Sequence, residues 1–229
     1  MAVLKLKTTP EQWIMYVADK EYKQLFKFKY DHTTGTITYL NSLRENLDKP
    51  VDISLIPFSQ IGGINGEHKI FVADAGVGGF LYVDQNNTLL GKITSYTYSG
   101  TTYPLNNIVK IICKPDLYVV VIDGNQNAVV TFHWNDIPQA PTTNNTANAT
   151  SFVKFEPASI MNSIGYGNNF NYYSDFYATD KGLNMVHKFS FDGMYIASFS
   201  SFSSSSAVDP NKFIGRNNIF LFNDPLTGC

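Results

Sequence analysis

The stretch Phe71-Val72-Ala73-Asp74, an apolar run stopped by an aspartate, decides the fold prediction because it recurs along the chain. Further copies end at Asp19, Asp123 and Asp180, and a weaker one ends at Asp224. The steps between successive aspartates are 55, 49, 57 and 44 residues. This range overlaps the length of a four-stranded propeller blade, about 40–50 residues.

The agreement between copies continues beyond the aspartate. An apolar residue follows six positions on, and another follows nine positions on. The first set is Leu25, Phe80, Val129 and Val186, and the second is Phe28, Val83, Phe132 and Phe189. The pattern predicts a buried strand, a turn capped by the aspartate carboxylate, and a second strand. Residues 51–55 and 107–112 predict strands before the aspartate strands, and residues 36–40 and 194–198 predict outer strands.

We therefore expect an all-β fold of the β-propeller class, in one domain over residues 1–229. The predicted units lie near 8–50, 51–104, 105–150, 151–206 and 207–229, and residues 2–8 are expected to complete the last one. That arrangement makes five blades, closed by the N-terminal strand. Four blades, or an open arc completed by another chain, are the alternatives. Residues 139–150 show no strand periodicity and are expected to form an exposed loop.

Two of these segments resemble the NHL-repeat family of β-propellers. Residues 70–74, ending in Val72-Ala73-Asp74, are similar to the family's aspartate-terminated strand, and residues 189–193 are similar to its Phe-Asp-x-x-Gly turn. The family's Asn-x-Arg-Val segment after the aspartate is approached only by Asn184-Met185-Val186. The resemblance implies the fold and no activity.

Composition narrows the range of functions. Charged residues make up 16% of the chain and the formal net charge is −2, so a phosphate-neutralising face for nucleic acid is not expected. The N-terminus lacks a signal peptide and no apolar run could span a membrane, which predicts cytoplasmic synthesis or a virion component without membrane insertion. Cys113 and Cys229 leave open whether they pair.

No catalytic, phosphate-binding or metal motif is present, and no cofactor is expected. The repeated aspartates Asp19, Asp74, Asp123, Asp180 and Asp224 are predicted to be structural caps, because a catalytic site is normally asymmetric. A ring of carboxylates that binds calcium is the alternative. A stretch rich in tyrosine and asparagine predicts either a contact surface or a partly buried strand. Its candidate contact residues are Tyr166, Phe170, Tyr172 and Tyr173.

These observations favour a non-enzymatic interaction or structural module with a protein partner, as a subunit of a larger assembly such as a virion or surface structure. Two alternatives remain from the sequence. One is a propeller enzyme of the lactonase or lyase type with a metal in its channel, and the other is a carbohydrate-binding propeller.

Overall fold

The computed structural model describes residues 1–6, 12–57, 68–114, 116–138, 146–166 and 175–200. The strands before residue 105 are β1 (Ala2–Leu6), β2 (Gln12–Asp19), β3 (Gln24–Asp31), β4 (Thr36–Leu43), β5 (Pro50–Pro57), β6 (His68–Asp74), β7 (Gly79–Asp84), β8 (Leu89–Ile93), β9 (Ser95–Tyr98) and β10 (Thr101–Pro104). The later strands are β11 (Ile108–Cys113), β12 (Tyr118–Asp123), β13 (Ala128–His133), β14 (Thr146–Asn148), β15 (Ser151–Lys154), β16 (Met161–Tyr166), β17 (Phe176–Asp180), β18 (Met185–Phe189) and β19 (Tyr195–Ser200).

These strands form four antiparallel four-stranded sheets, and the chain is therefore all-β as predicted. The first sheet is β1–β4, the second is β5–β8, the third is β11, β12, β13 and β15, and the fourth is β16–β19. The second strand of each sheet ends at one of the repeated aspartates, Asp19, Asp74, Asp123 or Asp180. The strands expected before and after the aspartate strands are present at their predicted positions as β4, β5, β11 and β19.

The sheets lie side by side in chain order. β5 contacts β1 and β2 of the first sheet, β11 contacts β5 and β6, and β16 contacts β11 and β12. Alternate side chains of each strand point to opposite faces, so each inner sheet packs against both neighbours. Three apolar clusters fill the gaps between successive sheets. This arrangement is propeller-like.

The N-terminal strand corrects one expectation. The sequence predicts that residues 2–8 complete the last unit, but residues 2–6 form β1, which pairs antiparallel with β2 from Ala2 opposite Tyr16 to Leu6 opposite Gln12. β1 thereby occupies in the first sheet the place that β5, β11 and β16 occupy in the others. A short connection favours pairing between antiparallel neighbours, so β1 pairs with the next strand along the chain. The fifth unit and Asp224 lie outside the described residues.

A further small sheet corrects the loop expected at residues 139–150. Its order is β10–β9–β14, and β14 runs parallel to β9. Ala147 of β14 is buried in the largest apolar cluster, between the second and third sheets. We call β9, β10 and β14 the side sheet. Residues 139–145 lie outside the described part of the chain.

Candidate functional site

The aspartates cap the turns that follow their strands. The Oδ1 atom of each accepts backbone N–H groups from the residues two and three positions on, at 2.8–3.2 Å. This is an Asx-type turn, in which a carboxylate replaces a backbone acceptor. The same hydrogen bonds recur in all four sheets that the structure describes.

Two of the buried aspartates also fasten the segment that leads into the first strand of their sheet. Asp74 accepts the Asp48 N–H at Oδ2 and the Lys49 N–H at Oδ1, both at 2.8 Å. Asp180 accepts the Ile160 N–H at 2.9 Å and the Ser159 hydroxyl. We call residues 48–49, 106–107 and 159–160 the lead segments of the second, third and fourth sheets.

The third sheet departs from this pattern. Asp123 is fully buried, and its Oδ1 accepts the Asn125 and Gln126 N–H groups at 3.0 and 3.2 Å. Its Oδ2 has no hydrogen-bond partner among the described residues. Burial raises the pKa of Asp123, and the two N–H donors offset that only in part. The lead segment keeps the backbone hydrogen bond that the second and fourth sheets also have, in which the Asn107 oxygen accepts the Gly124 N–H at 2.8 Å.

A cleft of about 440 Å³ opens beside this turn, between the third and fourth sheets. The amide residues Asn107, Asn125 and Gln126 line it, together with Lys154 and Phe155. Asn127 also lines the cleft, but its amide already has a partner within the protein, because its Nδ2 donates to the Glu156 carbonyl at 2.6 Å. We call this the amide cleft.

A second cleft, of about 610 Å³, lies on the other side of residues 154–157 and includes the buried His187. The Asp180 Oδ2 lies 3.3 Å from His187 Nε2 and also accepts the Ser159 hydroxyl. The carboxylate therefore stands between the serine and the histidine. A nucleophilic triad needs the imidazole in the middle, so this trio is not one. It fastens the turn of the fourth sheet.

At the opposite strand ends, Lys114 is fully buried and donates to Asp116 Oδ2 at 2.9 Å and to the Phe191 carbonyl. Its ammonium also lies over the rings of Tyr118 and Phe176, at 5.5 and 5.4 Å from their centroids. Burial lowers the pKa of Lys114 and raises that of Asp116. The pair ties the third sheet to the fourth. Sequence reasoning missed it, since no local pattern marks a lysine for burial.

The repeat position nine residues after each aspartate shows that the first sheet has an open face. Val83, Phe132 and Phe189 hold this position in the later sheets, and each is fully buried in the cluster shared with the preceding sheet. Phe28 holds it in the first sheet, which no described sheet precedes, and is only half-buried. The equivalent surface is therefore uncovered among the described residues.

This open face is apolar across all four strands. Cross-strand partners share a face, and the register joins Val3 to Met15, Met15 to Phe28, and Phe28 to Tyr39. Ile37 is 63% exposed and Tyr39 is 54% exposed. The other apolar members of the open face are Trp13, Val17, Phe26 and Tyr30.

The predicted contact surface is described only at Tyr166. That residue ends β16, is half-buried against the cluster between the third and fourth sheets, and has its pKa raised to about 12 by burial, with smaller contributions from Cys113 and Asp116. Phe170, Tyr172 and Tyr173 lie outside the described residues. Within the described ranges, no three His, Cys, Asp or Glu side chains come together as a metal site would require. The channel metal and the contact surface remain predictions.

The part of the chain that is described contains no helix that is long and apolar enough to cross a membrane. No protein-family model matches the chain, and no curated protein matches it in sequence.

Solved structures match the chain in fold. They include a 6-phosphogluconolactonase-like protein from Bacteroides uniformis (15% identity, TM-score 0.54), virginiamycin B lyase from Staphylococcus aureus (13%, 0.51) and a protein from Lactobacillus plantarum (10%, 0.53). The alignments cover 88%, 90% and 82% of this chain, but only 57%, 56% and 52% of those proteins. The chain thus spans little more than half the length of the structures it matches. At these identities the likeness shows the fold alone, and that fold is propeller-like.

Proposed function

We propose that this chain is a non-enzymatic interaction module that binds another polypeptide through the open face of its first sheet. One observation carries the proposal. The repeat position nine residues after the aspartate is fully buried between sheets in the second, third and fourth sheets. In the first sheet the same position, Phe28, is half-buried, with no described sheet against it. The partner we infer is a protein that presents an apolar β-sheet face, since that is what covers the same position in the later sheets.

The energetics favour an occupied face. Removing apolar surface from water contributes about 25 cal/mol per Å², and aromatic side chains supply the largest areas. The open face has three aromatic side chains with neighbouring rings: Phe26 and Phe28 lie 6.2 Å apart, and Phe28 and Tyr39 lie 5.9 Å apart. Two apolar sheets pack about 10 Å apart with interdigitated side chains, which would bury this surface. Contiguous exposed apolar patches of this kind mark interaction sites.

Photo-crosslinking in cells that express the full-length chain tests the proposal. The photoreactive residue benzoylphenylalanine replaces Tyr39 on the open face. The matched control replaces Tyr22, an exposed tyrosine of the Asp19 turn that lies off the face. We expect position 39 to give a covalent product with a second polypeptide and position 22 to give none. Cross-links from position 39 that stay within one chain, or none at all, would contradict the proposal.

Replacing an apolar residue of the face with a charged one gives a second test on the captured complex. Phe28→Lys places an ammonium at the centre of the face, where association would strip it of water without a partner for its charge. We expect at least about a hundredfold weaker association, while Tyr22→Lys binds as the unmodified chain does. Circular dichroism verifies that both variants fold. Equal binding by a folded Phe28→Lys variant would show that the partner docks elsewhere.

A further inference from the structure

The amide cleft lies between the third and fourth sheets, away from the open face of the first sheet, and beside one departure from the repeat. In the second and fourth sheets, the lead segment is pinned to the aspartate carboxylate by its own N–H groups. In the third sheet this pinning is missing, and Asn106 and Asn107 are both exposed. The unpaired Oδ2 of Asp123 and the cleft therefore lie at the same turn, where this pinning is missing.

The chemistry of the lining is specific. Asn107, Asn125 and Gln126 each bring a carbonyl acceptor and an NH₂ donor to the cleft, and none of the three amides hydrogen-bonds to another residue within the described ranges. Lys154 adds an exposed ammonium. No carboxylate side chain is among the described residues that line the cleft. The neutral amides of the lining thus offer both hydrogen-bond donors and acceptors. They suit a ligand whose own groups both donate and accept hydrogen bonds.

One wall of the cleft is apolar. Phe155 lines it and is half-buried, and its ring is fixed in position by the His187 ring at 4.5 Å and the Phe189 ring at 6.1 Å. Ile160 also lines the cleft and is held in place by its N–H bond to Asp180. Residues fixed in this way form a rigid wall, at no further cost in side-chain entropy.

From this lining, we propose that the amide cleft binds a saccharide of one or two sugar rings. Vicinal hydroxyls both donate and accept hydrogen bonds, as side-chain amides do, and the C–H face of a pyranose matches an apolar wall. A cavity of about 440 Å³ lies within the size range of small-molecule sites. This site is independent of the open face, so either proposal can fail without the other.

A glycan array followed by titration of the best-binding glycan tests the inference on the full-length chain. We expect binding that Asn125→Ala and Gln126→Ala each weaken about five- to tenfold, the loss of one amide hydrogen bond. Asn106→Ala is the matched control, because Asn106 is exposed beside Asn107 but does not line the cleft. It should bind as the unmodified chain does, and thermal unfolding should show all three variants equally stable.

The outcomes divide cleanly. Loss of binding in the two cleft variants, with binding retained by Asn106→Ala, supports the saccharide site. A glycan that binds all variants alike occupies another surface and overturns the inference. Failure of the chain to bind any glycan on an array that carries both neutral and acidic sugars also overturns it.

Discussion

Replacing an aspartate with the isosteric asparagine should destabilise the chain much more at Asp74 than at Asp123. At Asp74, Oδ1 accepts three N–H groups and Oδ2 accepts a fourth, from Asp48. The Asp74→Asn substitution would put an NH₂ donor in place of Oδ2, facing the Asp48 N–H. At Asp123, only Oδ1 accepts hydrogen bonds, and Oδ2 has no partner to lose among the described residues.

The magnitudes follow from these contacts. Asp74→Asn loses one hydrogen bond to a charged acceptor, which costs about 1.5–3 kcal/mol, and weakens three others, so we expect a total loss of about 4 kcal/mol. Asp123→Asn weakens two hydrogen bonds by about 1 kcal/mol each but removes the cost of a buried charge. We expect a net change within about 1 kcal/mol of zero. The difference of at least about 3 kcal/mol corresponds to at least about 6–12 °C in Tm for a chain of this size.

Thermal and urea unfolding of the two variants at neutral pH measure this difference. The pH dependence gives an independent check, because burial raises the pKa of Asp123 in the folded state. A folded state that holds its proton more tightly loses stability as the pH rises above the usual value of 3.8. An asparagine side chain cannot titrate, so the stability of the Asp123→Asn variant relative to the unmodified chain should increase as the pH rises. Equal destabilisation by both substitutions would refute the account of the unpaired oxygen.

Three further predictions concern packing, the buried ion pair and acid stability. Gly79→Ala should prevent folding, because its Cβ would lie 2.0 Å from a backbone carbonyl oxygen of the neighbouring strand. Gly35→Ala meets no atom within 4 Å and should cost about 1 kcal/mol through its positive φ alone. Soluble yield and Tm measure both effects. Lys114→Met should cost about 3–5 kcal/mol in urea unfolding by stranding the buried Asp116, and adding Asp116→Asn should recover much of that; a single variant as stable as the parent would contradict the buried pair. Burial alone would raise the pKa of Asp180, but its hydrogen bonds outweigh this and lower it. The chain should therefore lose stability as the pH falls from about 5 through this lowered pKa, more steeply than an Asp180→Asn variant; parallel acid profiles would count against it.

The aspartate turns are predictable from sequence because everything that makes them is local. The capped N–H groups lie two and three residues beyond each carboxylate, and the apolar positions six and nine residues on lie along the strand that follows the turn. Residue type within about ten positions therefore determines the second and third strands of each sheet. The same logic explains why β4 and β19 could be placed from their flanking turns.

The remaining features depend on distant partners. β14 has three residues with no apolar periodicity and is a strand only because β9, some fifty positions earlier, pairs with it. The amide cleft lies where the lead segment of the third sheet makes no hydrogen bond to Asp123, and the lead segments share no sequence pattern that signals this. Lys114 is buried by groups from two sheets. The repeat predicts the scaffold, whereas its local exceptions become visible only in three dimensions.

The side sheet affects the order in which the sheets should unfold. In a simple array, each unit touches only its neighbours, and stability is a sum of unit and interface terms. Here β9 and β10 follow the second sheet, β14 precedes the last strand of the third, and their parallel pairing ties the two sheets outside their main contact. Amide hydrogens of the second and third sheets should therefore exchange together, and later than those of the first and fourth sheets. The first and fourth sheets should unfold before the two sheets between them.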